Sequence, residues 1–222
     1  MAKLQLGSGG GLLEGWLNTD RAPEPGTVYL DATHRFPLPE QSFDYVFAEQ
    51  MIEHLTWQDG AAMLAECRRV LKPAGRIRIA TPDLERIVGL HGAHGDDVRA
   101  RYVRWCTDGF LPHADAYRPA FVINQLFRGW GHSFLYDEET LAASLVAAGL
   151  SKTVRYDYGQ SDDPSLAGIE THGSDQPDRE PFVFEALVIE AERPIPVQLP
   201  DRRSSAVTRS KRGRHRPDTK RS

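Results

Sequence analysis

The chain has 222 residues, 40% of them hydrophobic, and a formal net charge of −4, enough for one substantial core and short for two. Residues 193–222 hold ten Lys or Arg against two Asp and carry +8, which leaves −12 on residues 1–192. An acidic globular part is poorly suited to neutralising nucleic-acid phosphates, so any such role would rest on the tail.

In chain order, Lys3–Leu6 reads as a short strand running into Gly7-Ser8-Gly9-Gly10-Gly11, Trp16–Asp20 as a second strand and Val28–Asp31 as a third. Phe43–Glu49 is apolar and aromatic enough for a buried fourth strand. Gln58–Leu71 has helical spacing through Met63, Leu64, Cys67, Val70 and Leu71. Lys72-Pro73-Ala74-Gly75 stops that helix, and Arg76–Thr81 is the fifth strand, alternating isoleucine with arginine. Strands alternating with crossovers predict a parallel, doubly wound sheet.

Residues 83–128 predict a helical insertion, followed by a loop around Gly129-Trp130-Gly131-His132. Asp137–Ala148 is a helix with acids at its start, Thr153–Tyr156 a strand and Phe182–Glu190 the last strand. Residues 159–181, rich in Asp, Ser, Gly and Pro, form a connection longer than usual, which makes it either mobile or part of a site. The domain is expected over 1–192, with a disordered basic tail over 193–222. Cys67 and Cys106 lie far from any CxxC spacing and read as buried small hydrophobes. No run approaches the roughly 18 apolar residues of a membrane span, and the N-terminus lacks the apolar stretch of a signal peptide, so a cytoplasmic protein without membrane contact is expected.

The glycines can turn tightly and admit a ligand where a Cβ would collide. Asp20, at the end of the neighbouring strand, can accept two hydrogen bonds from a ribose diol. A dinucleotide site wants its acid about 20 residues after the glycine motif, with a full helix between. Asp20 comes 13 residues after Gly7, too close for that helix, so a ligand with a ribose but no phosphates fits better.

Leu-x-Leu-Gly-x-Gly at 4–9, the acid at 20, Asp31-Ala32, Leu-Pro-x-x-x-Phe-Asp-Tyr-Val at 38–46, Glu-His-Leu at 53–55 and Arg-Val-Leu-Lys-Pro-Ala-Gly at 69–75 occur in order. Together they resemble the motifs of class I S-adenosylmethionine-dependent methyltransferases of the type 11 branch. Gly-Trp-x-Asn-x-Asp at 15–20 narrows the resemblance to a bacterial subgroup with a shortened first helix. The resemblance covers residues 4–82. It implies a Rossmann-like seven-stranded α/β sheet with helices on both faces and a helical insertion after the fifth strand. S-adenosylmethionine is the cofactor so implied. Gly7, Ser8 and Gly9 would line its methionine part, Asp20 the ribose hydroxyls, Asp31 and Ala32 the adenine, and Glu49 and Gln50 the sulfonium. Ser8 replaces the cysteine common in that motif, and Ala74 a glycine.

The chain after Thr81 should supply the acceptor wall, where a His-x-x-x-Tyr step is familiar in the subgroup. His132, Tyr136, Glu170 and His172 are thus the candidates for acceptor binding or proton removal. His132, in its glycine-flanked loop, is favoured as base over His54, which reads as a solvated or capping residue. No metal is required, because methyl transfer from a sulfonium is an in-line displacement that needs alignment and exclusion of water. The expected acceptor is a small molecule or a sugar hydroxyl. The rivals are a nucleic-acid methyltransferase anchored by the basic tail and a non-catalytic cofactor-binding module.

Overall fold

In the computed structural model, which describes residues 1–196, the apolar segments become seven strands. They are β1 (Lys3–Leu6), β2 (Leu17–Asp20), β3 (Val28–Tyr29), β4 (Phe43–Glu49), β5 (Leu71–Pro82), β6 (Ser151–Tyr156) and β7 (Ala186–Glu192). They form one sheet in the order β3-β2-β1-β4-β5-β7-β6. β1 to β5 are parallel, while β7 runs antiparallel to β5 and β6. The order reverses beside β1, so the crevice at the carboxyl ends of β1 and β4 is the ligand position that open α/β sheets favour.

The helices are α1 (Trp57–Val70), α2 (Leu84–Val88), α3 (Val98–Phe110), α4 (Pro119–Arg128), α5 (Glu138–Ala147) and α6 (Glu180–Glu185). Thr56, Asp97 and Asp137 cap α1, α3 and α5, each accepting from a backbone N–H three residues on. α1 buries Met63, Leu64, Cys67 and Val70, a helical stripe against the sheet face that carries Leu4, Leu6, Val46, Ile77 and Ile189. α5 adds Leu141 and Leu145 to the same core. A second core, with Ile87, Tyr102, Cys106, Val122 and Leu126, joins the insertion's helices. Among the described residues, no helix is long and apolar enough to cross a membrane.

The opposite sheet face shows Gln5, Tyr45, Arg78 and Glu190, and the connection after β6 lies over it. Tyr45 donates to Asp163 (2.9 Å), and Arg78 donates to the Gln160 carbonyl (2.9 Å), to Glu190 (2.6 Å) and to Glu170. Cover that the sequence reading assigns to helices comes on this face from residues 158–172. The crossovers from β1 to β4 contain no helix, which is why Asp20 comes so soon after Gly7.

Several boundaries move: β3 ends at Tyr29 instead of Asp31, and β5 begins at Leu71 instead of Arg76, taking in the Lys72–Gly75 stretch read as a helix stop. Residues 182–185, read as strand, form the end of α6, because Pro181 favours the first helical turn and the extended run begins at Ala186. Arg193, placed in the tail, belongs to the domain: it is 9% exposed and donates to the carbonyls of Arg68 and Arg69, each at 3.0 Å. The basic segment beyond Pro196 lies outside the described residues.

Ala74, in the turn inside β5, has a φ of 63°, a region that costs an L-residue about 1–2 kcal/mol. Glycine loses about 0.5–1 kcal/mol more backbone entropy than alanine on folding. The first effect wins, and Ala74→Gly should stabilise by about 0.5–1 kcal/mol. The check is a higher urea midpoint with an unchanged slope.

Candidate active site

β1 opens into two left-handed glycines, Gly7 (φ 62°) and Gly9 (φ 48°). A Cβ on Gly7 would stand 2.4 Å from Cγ of Met51, so only glycine fits there. Asp20 closes β2 and is tied to this loop: Oδ2 accepts from the Gly9 N–H (2.9 Å) and Oδ1 from the Ala22 N–H (2.8 Å). Each oxygen keeps acceptor capacity for a vicinal diol. Asp31 lies just past β3. Its Oδ1 accepts from the hydroxyl (2.7 Å) and N–H (2.9 Å) of Thr33, which hold its carboxyl below the usual range, while Oδ2 lies 3.4 Å from Nδ1 of His34 and 3.9 Å from Nε of Arg21. Ala32 is buried in the main core.

Glu49 ends β4, nearly buried. Its Oε2 accepts from the Thr171 N–H (2.7 Å), the Thr171 hydroxyl (3.0 Å) and the His172 N–H (3.1 Å), while Oε1 has no partner. Burial pushes its carboxyl up despite those bonds. Ser8 Oγ is also buried without a partner. Glu49 and Ser8 line a cavity of about 540 Å³ together with Gly7, Gly11, Thr171 and Ser174. Two buried polar atoms without partners beside a glycine wall suit a ligand that brings its own donors. Gln50 follows at a φ of 49°, donating its N–H to the Ala80 carbonyl (2.9 Å). A left-handed glutamine at a strand end is the kind of strain that clusters at ligand sites.

A second cavity, of about 210 Å³, adjoins the first and has walls of Trp105, Phe110, Trp130 and Phe182. Its polar groups include His132, His172, Gln50 and Glu185. Gln50 and His172 line both cavities, so they stand where a donor and an acceptor would meet. Nε2 of His172 lies 3.4 Å from Oε1 of Glu185, and the buried Tyr102 hydroxyl donates to Oε2 of the same carboxylate. Burial alone would lower the imidazole, but Glu185, helped by Glu49 and Glu53, outweighs it and holds His172 above its ordinary value of 6.5. Nε2–H directed at Glu185 leaves Nδ1 with the free lone pair.

The other candidate residues fall differently. His132 lines the aromatic cavity, with Nδ1 2.7 Å from the Leu126 carbonyl, and burial lowers its pKa. His54, read as a solvated residue, also lines that cavity, its ring 5.0 Å from that of His132. Tyr136 moves out of the site: it is fully buried in the main core, edge-on to Phe134 and close to Gly60 of α1. Burial pushes its hydroxyl up to about 12. Glu170 moves out as well, because its Oε1 is held by the buried Arg78 guanidinium and it lines neither cavity. Sequence reasoning missed Glu185 and the aromatic walls. An acid closing the apolar run Phe182-Val183-Phe184 was the available signal.

Residues 14–79 match the family model described as a methyltransferase domain. The ubiquinone/menaquinone biosynthesis C-methyltransferase UbiE of Paraburkholderia phymatum is 30% identical over 130 residues, which are 59% of this chain and 48% of that protein. Its counterpart from Burkholderia mallei is 28% identical over 140 residues, 62% of this chain and 53% of that one. The chain thus spans about half the length of these curated relatives. A SAM-dependent methyltransferase from Archaeoglobus fulgidus shares the fold at a TM-score of 0.50 and 16% identity, covering 86% of this chain and 85% of that one.

Proposed function

We propose, on the premise that the chain is a class I methyltransferase in its fold and its matched family segment, that it transfers a methyl group from S-adenosylmethionine to a small hydroxyaromatic acceptor. The observation that carries this reading is the junction of the two cavities at Gln50 and His172. When bound, S-adenosylmethionine supplies a methyl group already activated on its sulfonium. Asp20 would hold the ribose hydroxyls, Asp31 and the backbone at Ala32 the adenine, and Glu49, through its unpartnered Oε1, together with Ser8, the methionine end. The left-handed turn at Gln50 keeps its side chain at the boundary between donor and acceptor.

Four aromatic walls favour a flat apolar body over a sugar, several of whose hydroxyls would be left without partners there. His172 takes the acceptor's hydroxyl proton at Nδ1, and Glu185 stabilises the imidazolium through Nε2. Loss of that proton makes both the phenolic oxygen and its ortho carbon nucleophilic. Attack at carbon is completed by loss of the ring proton from the methylated carbon and return of a proton to the oxygen, so one proton is released overall in either case. The curated relatives named above are C-methyltransferases, which supports carbon as the point of attack.

Calorimetry tests the cofactor half. The protein should bind S-adenosylmethionine and its demethylated product, and Asp20→Ala should weaken both by about 1.5–3 kcal/mol, roughly 10- to 150-fold, for loss of a charged acceptor. Unchanged affinity in the variant overturns the ribose assignment. Incubating the native protein with a panel of phenols, catechols and sugars, read as a mass gain of one methyl, tests the acceptor half. Methylation of sugars alone overturns it.

A further inference from the structure

Beside the His172–Glu185 pair, His54 and His132 line the aromatic cavity, and the fully buried Glu53 lies next to them. Glu53 and His54 come from the short helical turn after β4, and His132 from the loop after α4. One ligand atom from each lies within 4.8 Å of the other two. We infer that Glu53, His54 and His132 bind a single divalent transition-metal ion on the acceptor side of the cleft. This goes beyond methyl transfer, for which the sequence reading requires no metal, and does not depend on it.

Three features support the site. The first is the Glu53 carboxylate, which is fully buried: Oε2 accepts from the Thr81 hydroxyl (2.9 Å), but Oε1 has no partner. A buried carboxylate oxygen without a partner is costly, and a cation relieves it. The second is the tautomer of His132. A carbonyl can only accept, so the 2.7 Å contact with Leu126 fixes the proton on Nδ1 and leaves Nε2 as a lone pair. Orientation of a ligating imidazole by a backbone carbonyl through its other nitrogen is the usual outer-shell arrangement at metal sites, and Thr81 does the same for Glu53. The third is reach. Ligand atoms about 2.0–2.1 Å from zinc stand roughly 3.4 Å apart in a tetrahedron. Closure by at most about 1.5 Å is therefore needed, and the exposed His54 side chain is free to supply it.

Two imidazoles and one carboxylate suit zinc, cobalt, iron or manganese, whereas magnesium and calcium favour all-oxygen sets. Protein ligands would fill three positions, and those facing the cavity would take water or an acceptor oxygen. A metal there would hold the hydroxyl of the acceptor and lower its pKa, next to the base that receives the proton.

Cobalt(II) is the probe, titrated into untagged full-length protein. The expected result is one equivalent bound, with visible ligand-field bands and a rise in the thermal unfolding midpoint. His54→Ala and His132→Ala should each weaken binding at least about 100-fold, since loss of outer-shell partners alone costs 10- to 100-fold. His54 is exposed, so its variant should fold even if a change at His132 disturbs the loop. No stoichiometric binding, or binding that both variants retain, overturns the site. S-adenosylmethionine affinity, measured on the same samples, reports the methyl-donor site separately, so failure of one assignment is not mistaken for failure of the other.

Discussion

Arg78→Met should cost about 3–5 kcal/mol of stability, because it leaves the buried Glu170 and Glu190 carboxylates without their shared cation. The guanidinium is fully buried, with Nε 2.7 Å from Glu170 and Nη1 2.6 Å from Glu190. Both acids are almost completely buried; one oxygen of Glu170 has no partner, and the second oxygen of Glu190 makes no hydrogen bond and lies 3.6 Å from Nη1 of Arg76. For a domain of this size, each kcal/mol moves the thermal midpoint by about 2–4 °C, so a fall of roughly 6–20 °C is expected. The effect should reach the ligand site. Thr171 and His172 follow Glu170 directly and give their N–H groups to Glu49, so release of Glu170 loosens one wall of the glycine cavity. A triple variant with apolar residues of similar volume at 78, 170 and 190 should recover much of the loss, because removing all the charges also removes their desolvation cost. Thermal unfolding of the two variants checks both halves. A loss below about 1 kcal/mol in Arg78→Met would mean that water reaches the acids and that the triad is not closed.

What was legible in the sequence is what local chemistry dictates. β1 and β4 begin and end where their apolar runs do, and α1 follows its stripe of Met63, Leu64, Cys67 and Val70. Gly7, Gly9 and Asp20 were readable as a unit because a tight turn and a strand-end acid are each imposed by a few neighbouring residues. Partnerships at long range were not. Arg78 meets Glu170 across 92 positions, and nothing near Glu170 marks it as a counter-ion instead of an acceptor group. His54 is exposed, as read, but its pairing with His132, 78 residues away, was not readable. Tyr136 belonged to a familiar motif, yet its side chain turns into the core beside α1, an outcome of packing and not of spacing. Phe182 to Glu185 shows the same limit in miniature. An apolar run of this length is equally compatible with a strand or a helical turn, and Pro181 decided it.

The proposed acceptor half of the cleft is built almost wholly from such distant partners, so the residue that should matter most for turnover is His172, one of the four candidates read after Thr81 but not the favoured base among them. His172→Gln should lower turnover by about 100- to 10,000-fold, the usual contribution of a positioned base, while S-adenosylmethionine affinity changes little. The imidazole must be neutral to accept a proton, so the native rate should rise with pH through the pKa of His172. Glu185 is its largest upward influence, joined by Glu49 and Glu53, and together they place that limb above 6.5. Glu185→Gln removes the charge but keeps the shape. The rising limb should then move to lower pH while the maximal rate falls, since the imidazolium loses its stabilising carboxylate. A purely structural Glu185 would lower the rate without moving the limb. His132→Ala, assayed without added metal, should leave the limb in place, because the acids around His172 set its position. Profiles of kcat against pH for the native protein and the three variants, with a methylated phenol as the measured product, separate these roles. Full activity in His172→Gln would mean that alignment between Gln50 and the aromatic walls carries the reaction without a base.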